Sequence, residues 1–144
     1  MENYDVAKNM VIDLLKKHGI TPTQQRVEIA QILFAKPQHM SADQVLAIVN
    51  EADNVVSKAT VYNTLGLFAR KSMIKEVIVD PTKIFYDSNT TEHYHFYNVD
   101  SGALTDIPLD HVSVASLPEA PMGTAAESVD VIIRVRDVAK ANVA

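Results

Sequence analysis

The sequence predicts an α+β protein in two parts: an N-terminal winged helix-turn-helix domain over residues 1–88 and a small C-terminal α/β domain over residues 89–144 with a three-stranded sheet. Three observations carry this prediction. Helix-start signals recur up to residue 70, and the hydrophobic period then changes from helical to extended after Met73. The charge is also split. Up to Ser88 ten Lys/Arg balance ten Asp/Glu, and from Asn89 three Lys/Arg face eight acids, so the second part carries the whole net charge of −5. Overall acidity argues against nucleic-acid binding. The neutral first part escapes that argument.

Composition removes several classes. With 144 residues, 47% hydrophobic and 22% charged, the chain is long enough for a core, and four glycines and six prolines are too few for a linker-dominated polymer. No apolar run approaches the roughly 20 residues of a membrane span. Met1-Glu2-Asn3-Tyr4-Asp5 is acidic where a signal peptide is basic, so a cytoplasmic location and no membrane partner are expected. The absence of cysteine excludes disulfides, thiolate nucleophiles and a structural zinc held by four thiolates.

The elements follow in order. Val6, Met10 and Leu14, with Val11 and Leu15, repeat at helical spacing until Gly19. Thr21-Pro22-Thr23-Gln24 places a capping threonine at 21, a proline at the first helical position and a glutamine three residues after the cap. The helix that follows should bury Val27, Ala30 and Leu33 or Phe34. Ser41-Ala42-Asp43-Gln44 is a second capping box, opening a helix with Val45, Leu46 and Val49. Ser57 caps a fourth helix, Lys58 to about Arg70, with Val61, Leu65 and Phe68 on one face. Lys75–Val79 and Lys83–Tyr86, joined by Asp80-Pro81-Thr82, make the hairpin of a wing.

In the second part, strands are expected at about Tyr94–Val99 and Ala103–Ile107, joined by Asp100-Ser101-Gly102, and at Val129–Val135 beyond a loop holding Pro108, Pro118 and Pro121. About 55 residues make a small core, and pairing with a second copy would bury its exposed face. Residues 89–144 are therefore a candidate dimerisation domain.

Two constellations can carry chemistry. The start of the fourth helix gathers Ser57, Lys58, Thr60, Tyr62 and Asn63. Hydroxyls and lysine reach phosphates, asparagine reads adenine and tyrosine touches thymine methyls, which suits a helix entering a major groove of double-stranded DNA. The same residues equally suit the solvated face of an ordinary bundle. In Glu92-His93-Tyr94-His95 the two histidines lie two apart and share one face of a strand. Asp87 just before them, Asp106 on the neighbouring strand and His39 in the turn between two helices complete five nitrogen or oxygen donors. Such a set suits Fe(II), Mn(II) or Zn(II). Taken alone, a His-x-His spacing also describes two polar positions on an exposed strand.

The segments His18-Gly19-Ile20-Thr21-Pro22-Thr23-Gln24-Gln25-Arg26, Ala59-Thr60-Val61-Tyr62-Asn63-Thr64-Leu65 and His93-Tyr94-His95 together resemble the ferric uptake regulator family, from about residue 10 to 136. Lys83 to Tyr97, Asp106-Ile107-Pro108 and the ending Val129 to Arg136 are most similar to its iron response regulator branch, and the spacing of His39, Asp87 and His93/His95 is similar to that of peroxide-sensing regulators. The resemblance implies a homodimeric, metal-responsive repressor of iron-homeostasis genes. It assigns His39, Asp87, His93, His95 and Asp106 to a regulatory metal site, Tyr62 to base contact, and Lys16 and Arg26 to the DNA backbone or minor groove. It adds haem to the candidate ligands, although His93-Tyr94-His95 stands where that branch often has three histidines. Relatives with Cys-x-x-Cys pairs hold a structural zinc. Here the dimer must rely on packing and strand pairing. A different class, a small non-haem iron enzyme using His93, His95 and one carboxylate, would need a β-rich barrel. The capped helices of the first seventy residues speak against it.

Overall fold

Leu15, Leu33, Val45 and Phe68, from four successive helices, are all fully buried in one core. The computed structural model describes residues 2–51 and 56–139, with side chains from Lys8 onward; the Val6 side chain and Lys140 fall outside the described residues. The chain divides into two compact units, Met1–Thr90 and Thr91–Ala144.

In the first unit α1 (Glu2–Lys17) runs to a tight stop. Gly19 takes φ +73°, a conformation open to residues without a Cβ, and Ile20 N–H then donates to the Leu15 carbonyl at 2.9 Å, turning the Ile20 side chain into the core. The next helix, α2 (Gln24–Phe34), corrects the expected cap. Thr23, not Thr21, is the cap: its hydroxyl accepts from Arg26 N–H, and Pro22 lies outside the helix. Thr21 stays outside the helix, and its carbonyl accepts from Arg26 Nη1 at 3.0 Å. Val27, Ile29, Ala30 and Leu33 face the core.

After α2 the chain forms β1 (His39–Ser41) and α3 (Ala42–Val49). Ser41 and Gln44 make the expected reciprocal capping box, with each side chain bonded to the other's backbone N–H. Ser57 caps α4 (Lys58–Arg70), whose Val61, Thr64, Leu65 and Phe68 point inward. Then β2 (Lys75–Asp80) and β3 (Lys83–Asp87) form the hairpin, with an irregularity between Ile78 and Asp80. The Asp80 carboxylate holds the turn by accepting from the N–H and the hydroxyl of Thr82 at 2.8 and 2.7 Å. β1 pairs antiparallel with β3, giving a sheet of order β1-β3-β2. His39 thus belongs to a strand rather than to a plain turn. Three residues are too few to show an alternation, and only pairing with β3 makes them a strand.

The second unit contains β4 (Tyr94–Asn98), β5 (Leu104–Ile107), a 3-10 turn at Leu109–His111 and β6 (Ile132–Val135), in the order β5-β4-β6. β5 runs antiparallel to β4 and β6 parallel to it. β6 is shorter than the expected Val129–Val135: its register partners on β4 run from His95 to Asn98, and Val131 adds one bond by accepting from His95 N–H at 3.2 Å. Phe96 and Ile133 are register partners and each keeps 39% of its surface exposed. No helix among the described residues is long and apolar enough to cross a membrane.

Candidate metal centre and nucleic-acid interface

On α4 the inward stripe leaves Lys58, Tyr62 and Asn63 facing out, with Tyr62 42% exposed. Ser57 Oγ accepts from Thr60 N–H at 3.1 Å and donates to Thr60 Oγ1 at 2.8 Å. The two hydroxyls therefore fix the helix start, and the Thr60 hydroxyl hydrogen remains to donate to an acceptor. Lys58 Nζ stands 5.6 Å from the centre of the Tyr62 ring, within the range of a cation–π contact. Lys16 is exposed in the last turn of α1, and Arg26 is half-buried. One neighbour of this face carries no periodic signal in the sequence. Asp43, in the first turn of α3, accepts from the Tyr62 hydroxyl at 3.4 Å and lies 3.7 Å from Lys58 Nζ. Beneath this surface the Tyr86 phenol is held above its ordinary pKa, first by burial and then by the charges of Glu76 and Tyr62. The fold thus favours neutral Tyr86, and that contribution is complete below pH 10 and lost only as the pH rises through the raised value.

The metal-ligand candidates divide between the units. In the first, His39 and Asp87 are direct partners across β1 and β3. Asp87 is 1% exposed, and its carboxylate accepts from Asn89 N–H at 2.8 Å. The His39 ring stands edge-on to Phe85 at 6.4 Å. A carboxylate this deeply buried needs hydrogen bonds or a cation to offset its desolvation.

In the second unit His95 and Asp106 are register partners on β4 and β5, and His93 precedes β4. The imidazole centroids of His93 and His95 are 4.6 Å apart. Their Nε2 atoms lie 3.5 and 3.4 Å from the same oxygen, Asp106 Oδ1. His93 Nδ1 is 2.6 Å from the Thr91 carbonyl oxygen, which only accepts, so Nδ1 carries a proton and Nε2 faces the carboxylate side. An imidazole fixed by a carbonyl behind it is a common feature of metal-bound histidine. Two imidazoles and one carboxylate oxygen converging in this way fit a divalent cation with a taste for nitrogen and oxygen.

Capped helices with a hairpin, followed by a small sheet on which two histidines and an aspartate meet, are the parts that a metal-responsive DNA-binding transcriptional regulator needs. The sequence matches the ferric uptake regulator family over residues 17–131, most of its length, and the protein belongs to that family. It is 29% identical over 106 residues to the peroxide-responsive repressor PerR of Staphylococcus epidermidis, covering 74% of this chain and 71% of that one. The fold is that of the ferric uptake regulator from Francisella tularensis solved with iron, at TM-score 0.69 and 22% identity over 83% of this chain and 92% of that one. The regulator from Pseudomonas aeruginosa solved with manganese aligns at TM-score 0.63 and 24% identity, over 85% and 94% of the two chains. Family membership makes the protein a regulator, and nothing in these likenesses favours the iron-enzyme reading.

Proposed function

We propose that the protein is a homodimeric, metal-controlled repressor whose residues 1–88 bind operator DNA and whose residues 89–144 dimerise and sense metal. A single divalent cation would be held by His39 and Asp87 of the first unit with His93, His95 and Asp106 of the second. The observation that carries the reading is the convergence of His93 and His95 on one oxygen of Asp106. The strand partnership of His39 with the buried Asp87 supports a share from the first unit. Bound there, the ion would supply charge to offset the carboxylates and a rigid tie between units. The angle between the units then sets the separation of two recognition helices, which must match half-sites about 34–36 Å apart or a multiple of that. The donors suit Fe(II) or Mn(II), with Zn(II) next. Haem is less well served, because an axial ligand needs one imidazole, whereas here two approach one carboxylate. Iron-homeostasis genes are the regulatory target this chemistry favours, and the cytoplasm is where the operator would be met.

The dimer contact is proposed on the apolar face of the second sheet. Pleating puts Tyr94, Phe96, Ile133 and Val135 on one side, and Phe96 and Ile133 are exposed in the single chain. A second copy laid on that face would cover them.

DNA contact is assigned to Lys16, Arg26, Ser57, Lys58, Thr60, Tyr62 and Asn63. Titrating metal-free and Mn(II)-loaded protein against duplexes selected from a random library tests the reading. Sequence-specific binding that changes with Mn(II) is expected, and no selected sequence would overturn it. Tyr62→Ala should cost about 1–3 kcal/mol at one or two thymine positions without lowering the melting temperature, since the ring lies outside the core. Replacing Lys16 or Arg26 should weaken binding to every sequence and reduce the salt slope by about one unit for each phosphate no longer neutralised. Unchanged slopes would remove both from the interface.

A further inference from the structure

Asp43 is an acid in the middle of the surface assigned to DNA, where it touches two of the assigned residues. Its carboxylate oxygen Oδ1 receives the Tyr62 hydroxyl at 3.4 Å and lies 3.7 Å from Lys58 Nζ, while Lys58 Nζ in turn stands 5.6 Å over the Tyr62 ring. Lys58 and Tyr62 are four residues apart on α4, so they share its outer face, and Asp43 reaches them from the first turn of α3. An acid facing phosphates opposes association at every sequence alike. A residue with that effect is best explained by what it does to the two groups it touches.

We propose that Asp43 is a specificity-determining residue: it positions the Tyr62 ring for base contact and competes with DNA phosphates for Lys58. The inference rests on the DNA-binding reading of α4 above. On any sequence, binding must detach Lys58 from the carboxylate before it can neutralise a phosphate, and this lowers the non-specific affinity. At the correct site the pre-set Tyr62 makes its base contact without first being ordered, and the loss is recovered there. Asp43 therefore widens the gap between operator and background.

Two substitutions separate the roles. Asp43→Asn keeps an oxygen that can accept from Tyr62 but removes the charge; Asp43→Ala removes both. Asp43 and Lys58 are solvent-facing, so melting temperature serves as the fold control. With the Mn(II)-loaded full chain, binding is measured across salt to a duplex selected by the wild type and to a scrambled duplex of equal composition. Asp43→Asn should bind the scrambled duplex at least about threefold more tightly and steepen the salt slope by about one unit, roughly a fourfold larger loss of affinity between 50 and 200 mM salt. Asp43→Ala should show the same slope and also lose discrimination at the base read by Tyr62. That added loss should vanish in a Tyr62→Phe background, where no hydroxyl remains to be held. If both variants keep the wild-type slope and the wild-type ratio of selected to scrambled affinity, the proposal fails while DNA binding stands. If the wild type itself selects no sequence, the reading of α4 fails first.

Discussion

Replacing His95 with alanine is expected to lower the affinity for Mn(II) by more than about 100-fold. Losing only the hydrogen-bond partner behind a metal ligand already costs about 10- to 100-fold, and here a donor itself is removed. His95 is 4% exposed and sits at the middle of the triad, 3.4 Å from Asp106 Oδ1 and beside the His93 ring. Calorimetric titration of metal-free protein measures the change. Because a buried side chain is being deleted, Asp106→Ala, whose side chain is half exposed, serves as the companion variant. Both should lose the ion. Wild-type affinity in both would remove the triad from metal binding altogether.

The second large effect is on the fold. Phe68→Ala should destabilise the first unit by about 3–5 kcal/mol, the range for truncating a buried aromatic, against a total of about 5–15 kcal/mol for a domain. Phe68 is fully buried at the point where the inner face of α4 meets the core shared by all four helices. The cavity would loosen the seat of α4 and with it the outward face that carries Lys58 and Tyr62. Urea unfolding followed by circular dichroism should show the loss, together with weaker binding to selected and scrambled duplexes alike. A shift below about 1 kcal/mol would mean that α4 is held chiefly by something other than this core packing.

How much is legible in the sequence follows from which interactions are local. The capping box at Ser41 and the cap at Ser57 are readable because both partners lie within three residues. Thr21 and Thr23 offer two hydroxyls two residues apart, and either suits a cap, so local sequence does not choose between them. β1 is invisible because its three residues become a strand only against β3, more than forty positions later. The extent of β6 likewise depends on its pairing with β4, far away in sequence. At the candidate metal centre, the two-residue spacing of His93 and His95 announces their common side. Their meeting at one oxygen of Asp106 depends on the register of β4 and β5, and the backbone carbonyl of Thr91 that orients the His93 ring has no residue signature at all. In the sequence Asp43 belongs only to a capping box. Its approach to Tyr62 depends on the packing of α3 against α4, which no periodicity within either helix reveals.

On the proposed function, one ion draws donors from both units and thereby controls DNA affinity. Coupling between two ligands is reciprocal, so a residue that shares the ion must affect the DNA affinity difference between metal-free and loaded protein. The direct measurement is that difference in His39→Ala, using Mn(II) and a wild-type-selected duplex, with sedimentation checking that the oligomeric state is unchanged. A shared ion predicts weaker Mn(II) binding and a collapse of the metal-dependent difference, although His39 lies in the first unit more than fifty residues from His95. Full wild-type coupling in His39→Ala, alongside its loss in His95→Ala, would contradict sharing and confine the ion to the second unit.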